Sequence, residues 1–112
     1  MRNGKYEDFL KNLVYYEALL YYAGHVYFFN GYKESEKDLF VVDIYKYKGR
    51  YEAGSNEQGE YYVGVLEDDG INLMTIKGLT PEEVEEKFLK EKLFDEKSFW
   101  EVQDEIVWVD WQ

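Results

Sequence analysis

The chain has no cysteine, one proline and one histidine among its 112 residues. Without cysteine there is no disulfide, no thiolate metal site and no cysteine nucleophile. With His25 as the sole histidine, a zinc site would have to take its other ligands from carboxylates. No apolar run approaches the roughly 20 residues that span a bilayer. The opening Met1-Arg2-Asn3-Gly4-Lys5 lacks the apolar stretch and cleavage site of a signal peptide, so a cytoplasmic location is expected. Basic residues are scarce as well: 13 Lys and Arg stand against 24 Asp and Glu, for a net charge of −11. Such a balance disfavours direct contact with nucleic acid or an anionic membrane.

Catalytic signatures are absent too. Ser35, Ser55 and Ser98 lie in no nucleophile elbow, and Ser98 reads better as a helix cap. There is no phosphate-binding Walker loop and no Gly-x-Gly-x-x-Gly. The glycine-rich stretch Gly54 to Gly59 carries Glu57 and no lysine, which repels phosphate. Glu67-Asp68-Asp69-Gly70 and Glu57-Gln58-Gly59-Glu60 do not follow calcium-loop spacing and read as turns. No pair of carboxylates is singled out for acid–base work. His25, with no convergent partner in the sequence, reads as structural. Lys46, Lys48 and Arg50 interleave with Tyr45, Tyr47 and Tyr51, a pattern that can clamp single strands. Amid so much acid it reads instead as a strand whose lysines blunt a sheet edge. No enzyme activity, cofactor or metal is expected.

What is present is aromatic and acidic. Hydrophobic residues make up 46% of the chain and aromatics 20%, with 12 tyrosines and three tryptophans, so the chain folds as one domain with a real core. Residues 1–51 hold seven acids and eight bases, a net of +1; residues 52–112 hold seventeen acids and five bases, a net of −12. The division places an acidic face in the second half.

The firmest local signal is Leu79 to Leu93. Thr80 is a good N-cap, Pro81 falls at the first helical position, and Glu83 completes a capping box. Leu79 and Val84 are spaced for a hydrophobic staple. Val84, Phe88, Leu89 and Leu93 form a narrow apolar stripe, which leaves most of the helix to solvent. A first helix is expected over 5–22, with Tyr6, Phe9, Leu10, Leu13, Tyr16 and Leu20 on one side and Gly24 as its C-terminal cap. Strands are expected at His25–Phe29, closed by the turn Asn30-Gly31, at Leu39–Lys48 and at Glu60–Leu66. A short one is expected at Tyr51-Glu52-Ala53, and the Asp69-Gly70 turn leads into Ile71–Lys77. Ser98 and Glu101 make a second capping box, for a short helix over 99–104, before a last strand at Ile106–Trp111. The order is that of an α+β domain: an antiparallel sheet of about four to five strands, with an N-terminal helix and a C-terminal acidic helix packed on it.

The acids carry the functional expectation. Glu82, Glu83, Glu85, Glu86 and Glu91 recur along the capped helix, and Asp95, Glu96, Glu101, Asp104 and Glu105 come after it, with Trp100 among them. Carboxylates three or four residues apart on a helix stand about 5–6 Å from each other, of the same order as phosphates along a nucleic-acid strand. No motif carries single residues over from a family. In size, acidity, lack of cysteine and mixed α/β order the chain resembles small acidic proteins of phages and mobile elements. These include anti-CRISPR and antirestriction inhibitors that mimic DNA, and small immunity proteins that neutralise nuclease toxins. The resemblance implies a non-enzymatic inhibitor whose partner is a protein with a basic surface. The runner-up is an immunity or antitoxin protein, and a third reading is a small-ligand module with a tyrosine-lined cavity.

Overall fold

A computed structural model describes residues 1–47, 53–55, 61–63 and 70–111. It is an α+β fold. Its main strands are β1 (Glu17–Tyr22), β2 (His25–Glu34), β3 (Leu39–Tyr47), β6 (Ile71–Gly78) and β7 (Val107–Trp111), with the short β4 (Ala53–Ser55) and β5 (Tyr61–Val63) between β3 and β6 in the chain. The five main strands form an antiparallel sheet in the order β7-β1-β2-β3-β6. β5 and β4 continue the sheet beyond β7, with β5 parallel to β7. Three helices, α1 (Tyr6–Lys11), α2 (Pro81–Lys90) and α3 (Phe99–Val102), pack on one face. The turn expected at Glu67-Asp68-Asp69 lies outside the described residues, as do most of strand Glu60–Leu66 and the first two residues of Tyr51-Glu52-Ala53.

The first helix is shorter than its periodicity predicts. It ends at Lys11, and Asn12 caps it, its side-chain amide donating to the Asp8 carbonyl at 2.9 Å. The chain then bends tightly and enters β1 instead of continuing as helix. The run Glu17-Ala18-Leu19-Leu20-Tyr21-Tyr22 is apolar nearly all round because β1 lies between β2 and β7 and is covered on both faces. Leu20 and Tyr22 point toward the helices, and Leu19 packs against Val26, Val107 and Val109 on the other side. A strand buried on both faces and a buried helix give the same unbroken apolar run, and periodicity cannot separate them. Gly24 accordingly caps no helix. With Ala23 it makes the two-residue turn from β1 to β2, at φ 50° and 85°, the left-handed geometry that matches hairpin twist.

Asn30-Gly31 is not a turn either. β2 runs straight through it to Glu34, paired with β3 over nine registered positions from Val26 to Glu34. Gly31 is there for proximity: the bend after α1 crosses it, and its N–H donates to the Tyr16 carbonyl at 3.3 Å. β3 is likewise an inner strand between β2 and β6, so Lys46 blunts no edge. It reaches the helical side, where its Nζ lies 3.9 Å from the Asp95 carboxylate and 5.7 Å from the centre of the Tyr27 ring. Lys48 and Arg50 lie outside the described residues.

α2 starts as its sequence demands. The Thr80 hydroxyl accepts from the Glu83 N–H at 3.1 Å, with Pro81 at the first position. The return arm differs from a capping box: the Glu83 carboxylate accepts from the N–H of Leu79, one residue before the cap, at 3.2 Å. Leu79 is 68% exposed and staples little. Val84 and Phe88 are completely buried and hold the helix down, each contributing about 1.5–3 kcal/mol of apolar burial. The helix stops at Lys90, so Leu93 belongs to the turn beyond it. The α3 capping box is complete, with Ser98 and Glu101 exchanging both hydrogen bonds, and one turn of 3₁₀ helix (Gln103–Glu105) leads into β7.

The three helices meet over an aromatic centre. Phe9 of α1 stacks on Phe99 of α3 (5.6 Å) and meets Phe29 of β2, Phe88 of α2 and Trp108 of β7 edge-on at 5.3, 5.9 and 6.0 Å. One defect sits at the margin of this core. Tyr27 is fully buried and its hydroxyl has no hydrogen-bond partner among the described residues. Burial, then the nearby Asp95 charge, then Tyr22 push its phenol up to about 12. A raised folded-state value means that the stability linked to the neutral phenol is intact below pH 10 and is lost as pH climbs from 10 through 12. Tyr27→Phe is expected to raise stability by about 1 kcal/mol, because an unpaired buried hydroxyl costs that much or more. It should also flatten the fall in stability between pH 10 and 12, measured by urea denaturation across that range.

Candidate functional site

The expected partner-binding residues all lie in the helical layer and the turns that join it. Residues 81–105 carry ten acids and four lysines, a net of −6 out of −11 for the chain. Four of the acids have work inside the protein. Glu83 pairs with Lys87 at 3.4 Å, Glu86 with Lys90 at 3.2 Å and Asp95 with Lys46, while Glu101 closes the α3 cap. The two pairs on α2 are exposed neighbours one turn apart, each worth about 0.3–0.5 kcal/mol at most. Glu82, Glu85, Glu91, Glu96, Asp104 and Glu105 have no hydrogen bond or ion pair through their side chains among the described residues. The capping roles of Glu83 and Glu101 follow from local spacing, whereas the pairing of Asp95 with Lys46 depends on which basic group the carboxylate meets in space.

The unpaired acids do not form one compact cluster. Glu82 and Glu85 border a groove of about 320 Å³ between α2 and the end of α1, floored by Leu10, Leu13 and Val14 with Tyr15 and Lys11 at its rim. Glu91 caps the C-terminal end of α2, the end of the helix dipole that disfavours a carboxylate, and borders a separate trough beside β6. Asp95 and Glu96 form the tip of a two-residue turn closed by reciprocal hydrogen bonds between Phe94 and Lys97, both 3.0 Å. Both have positive φ, 53° and 67°, in a turn whose backbone favours glycine or asparagine. The fully buried Phe94 ring holds this turn in place.

Trp100 stands 49% exposed and packs edge-on against Tyr6 of α1 at 5.2 Å. Tyr6 completes an aromatic pair, although its spacing in the sequence marks it only as part of a core stripe. Glu7, next to it in the chain, holds that phenol above its ordinary value. Asp104 and Glu105 are exposed in the turn after α3, where Gln103 accepts from the N-terminal ammonium at 2.8 Å. The layer can therefore offer a partner a half-exposed indole, paired with the Tyr6 ring, in addition to the carboxylates. The narrow crevice under Phe9, Phe29 and Trp108, about 160 Å³, has one tyrosine on its wall and is smaller than the roughly 300 Å³ at which small-molecule pockets begin.

No protein-family model, curated protein or solved structure matches the chain.

Proposed function

We propose that the protein is a non-enzymatic inhibitor that docks through the acidic outer surface of its helical layer onto the nucleic-acid channel of a basic effector, such as a CRISPR nuclease. The observation that carries this reading is the set of six carboxylates in residues 81–105 that have no partner among the described residues and lie in the same layer as the exposed Trp100 and its neighbour Tyr6. Carboxylates left without an internal partner are free to meet the lysines and arginines that otherwise hold phosphates, which sets encounter rate and orientation. A half-exposed tryptophan supplies what charge alone lacks, an apolar anchor whose burial resists dissociation.

The test is displacement of a labelled duplex from a purified CRISPR nuclease by the intact protein, read by fluorescence anisotropy. Displacement should weaken as salt rises. Glu82→Lys with Glu85→Lys should raise the concentration needed by roughly tenfold or more, and Trp100→Ala by a similar factor. Displacement that ignores salt, or that survives charge reversal unchanged, rules the reading out.

A further inference from the structure

The groove of about 320 Å³ between α2 and the end of α1 brings together an apolar floor, two carboxylates and an exposed ring. Leu10, Leu13 and Val14 on its floor are nearly closed to water, at 6, 3 and 3% exposed. Glu82 and Glu85 border it from α2, three residues apart and so about 5–6 Å from each other. Neither carboxylate has an ion pair or a side-chain hydrogen bond among the described residues. Tyr15 stands at the rim, 53% exposed, with its ring held edge-on against Phe40 at 6.2 Å. Lys11, also at the rim, pairs with neither acid, so two carboxylates and one ammonium leave the groove at a net −1.

We propose that this groove receives one arginine side chain of a protein partner, its aliphatic stem on the apolar floor and its guanidinium between Glu82 and Glu85. Charge and chemistry separate arginine from the other occupants. An anion meets two carboxylates and is repelled. A purely apolar side chain covers the floor but takes water from the carboxylates and gives them no donor in return. A lysine brings a compact, strongly hydrated charge that is costly to settle over an apolar floor. Arginine brings a flat and weakly hydrated fork of five N–H donors, enough to serve both carboxylates, and a face that can lie against the Tyr15 ring. Its single positive charge cancels the net −1. Size agrees as well. An apolar cavity of about 150 Å³ takes a benzene ring, so the groove has room for an arginine side chain and the short piece of backbone behind it. The assignment rests on the docking reading for the source of the arginine and names the group on the effector that Glu82 and Glu85 meet.

An NMR titration of the intact protein with N-acetyl-arginine amide tests the site with no effector present. Shifts centred on the amides of residues 10–15 and 81–85 are expected, with a dissociation constant of about 1 mM for so small a probe. The lysine counterpart should bind roughly threefold more weakly or worse. The citrulline counterpart, which keeps the shape and loses the charge, should cause no saturating shifts. Glu82→Gln with Glu85→Gln should raise the dissociation constant roughly fivefold or more and leave the circular dichroism spectrum unchanged. Glu36→Gln, at an exposed acid outside the groove, should leave binding as it was. Shifts scattered over the acidic surface, citrulline binding equal to arginine, or binding indifferent to the double substitution overturns the proposal. The probe needs no nuclease, so a failed displacement of duplex leaves a positive titration standing, and a successful displacement does not rescue a negative one.

Discussion

Gly31→Ala is expected to lower stability by about 3 kcal/mol or more. A Cβ at this position would be driven into the Leu13 carbonyl oxygen and would lie 2.7 Å from both the Cα and the carbonyl carbon of Val14. Those atoms are backbone, so no side chain can swing aside to make room. The bend from Leu13 to Tyr16 would have to lift off β2, and the hydrogen bond from the Gly31 N–H to the Tyr16 carbonyl would go with it. Urea denaturation should show a lower midpoint at an unchanged slope. The melting temperature should fall by roughly 15 °C, at about 4–8 °C per kcal/mol for a domain near this size. The contrast is Gly24→Ala, which has no atom within 4 Å of the added methyl and meets only the cost of its positive φ. A variant at Gly31 as stable as the parent would mean that the bend does not press on β2.

Phe9→Ala should cost about 3–5 kcal/mol, a large part of the stability of any domain this small. Phe9 is 2% exposed and touches rings of α2, α3, β2 and β7 at once. Its removal leaves a cavity bounded by Phe29, Phe88, Phe99 and Trp108, four rings fixed by separate elements and unable to collapse together. α1, only six residues long, has no independent means of staying folded, so the N-terminal segment should loosen with it. The expected readout is a reduced urea midpoint with lost amide protection in residues 6–16. Phe9→Leu, which retains most of the volume, should recover more than half of the loss. Equal cost for the two substitutions would show that the aromatic centre does not depend on ring packing at this position.

Gly31 shows where sequence reading reached its limit. The Asn30-Gly31 pair carries a hairpin signature, and the bare sequence holds nothing to say that another stretch of chain presses on Gly31 from above. Glycine serves a turn through its φ and serves a close approach through its missing Cβ, and only three dimensions tell these apart. The same holds for Glu17 to Tyr22, where coverage on both faces erased the alternation that marks a strand. By contrast, the α2 start, the α3 capping box and the final strand were legible because each rests on residues a few positions apart. The candidate docking surface was legible as a set of acids and not as a surface. Asp95 looks no different in sequence from Glu96, yet it is paired with Lys46 from the middle of the sheet.

The sequence by itself determined the α+β class, the capped helix at Thr80, the acidic second half and the absence of thiol chemistry. All of these rest on short-range rules: caps act over three or four residues, charge counts ignore geometry, and a missing residue type cannot be supplied by folding. Tertiary structure alone decided that residues 17–22 are the strand beside β7, that β2 runs unbroken past Gly31, and that among the described residues β6 pairs only with β3. It also decided that Asp95 meets Lys46. Each of these depends on what lies across the chain, and contact between segments tens of residues apart leaves no local mark in either of them.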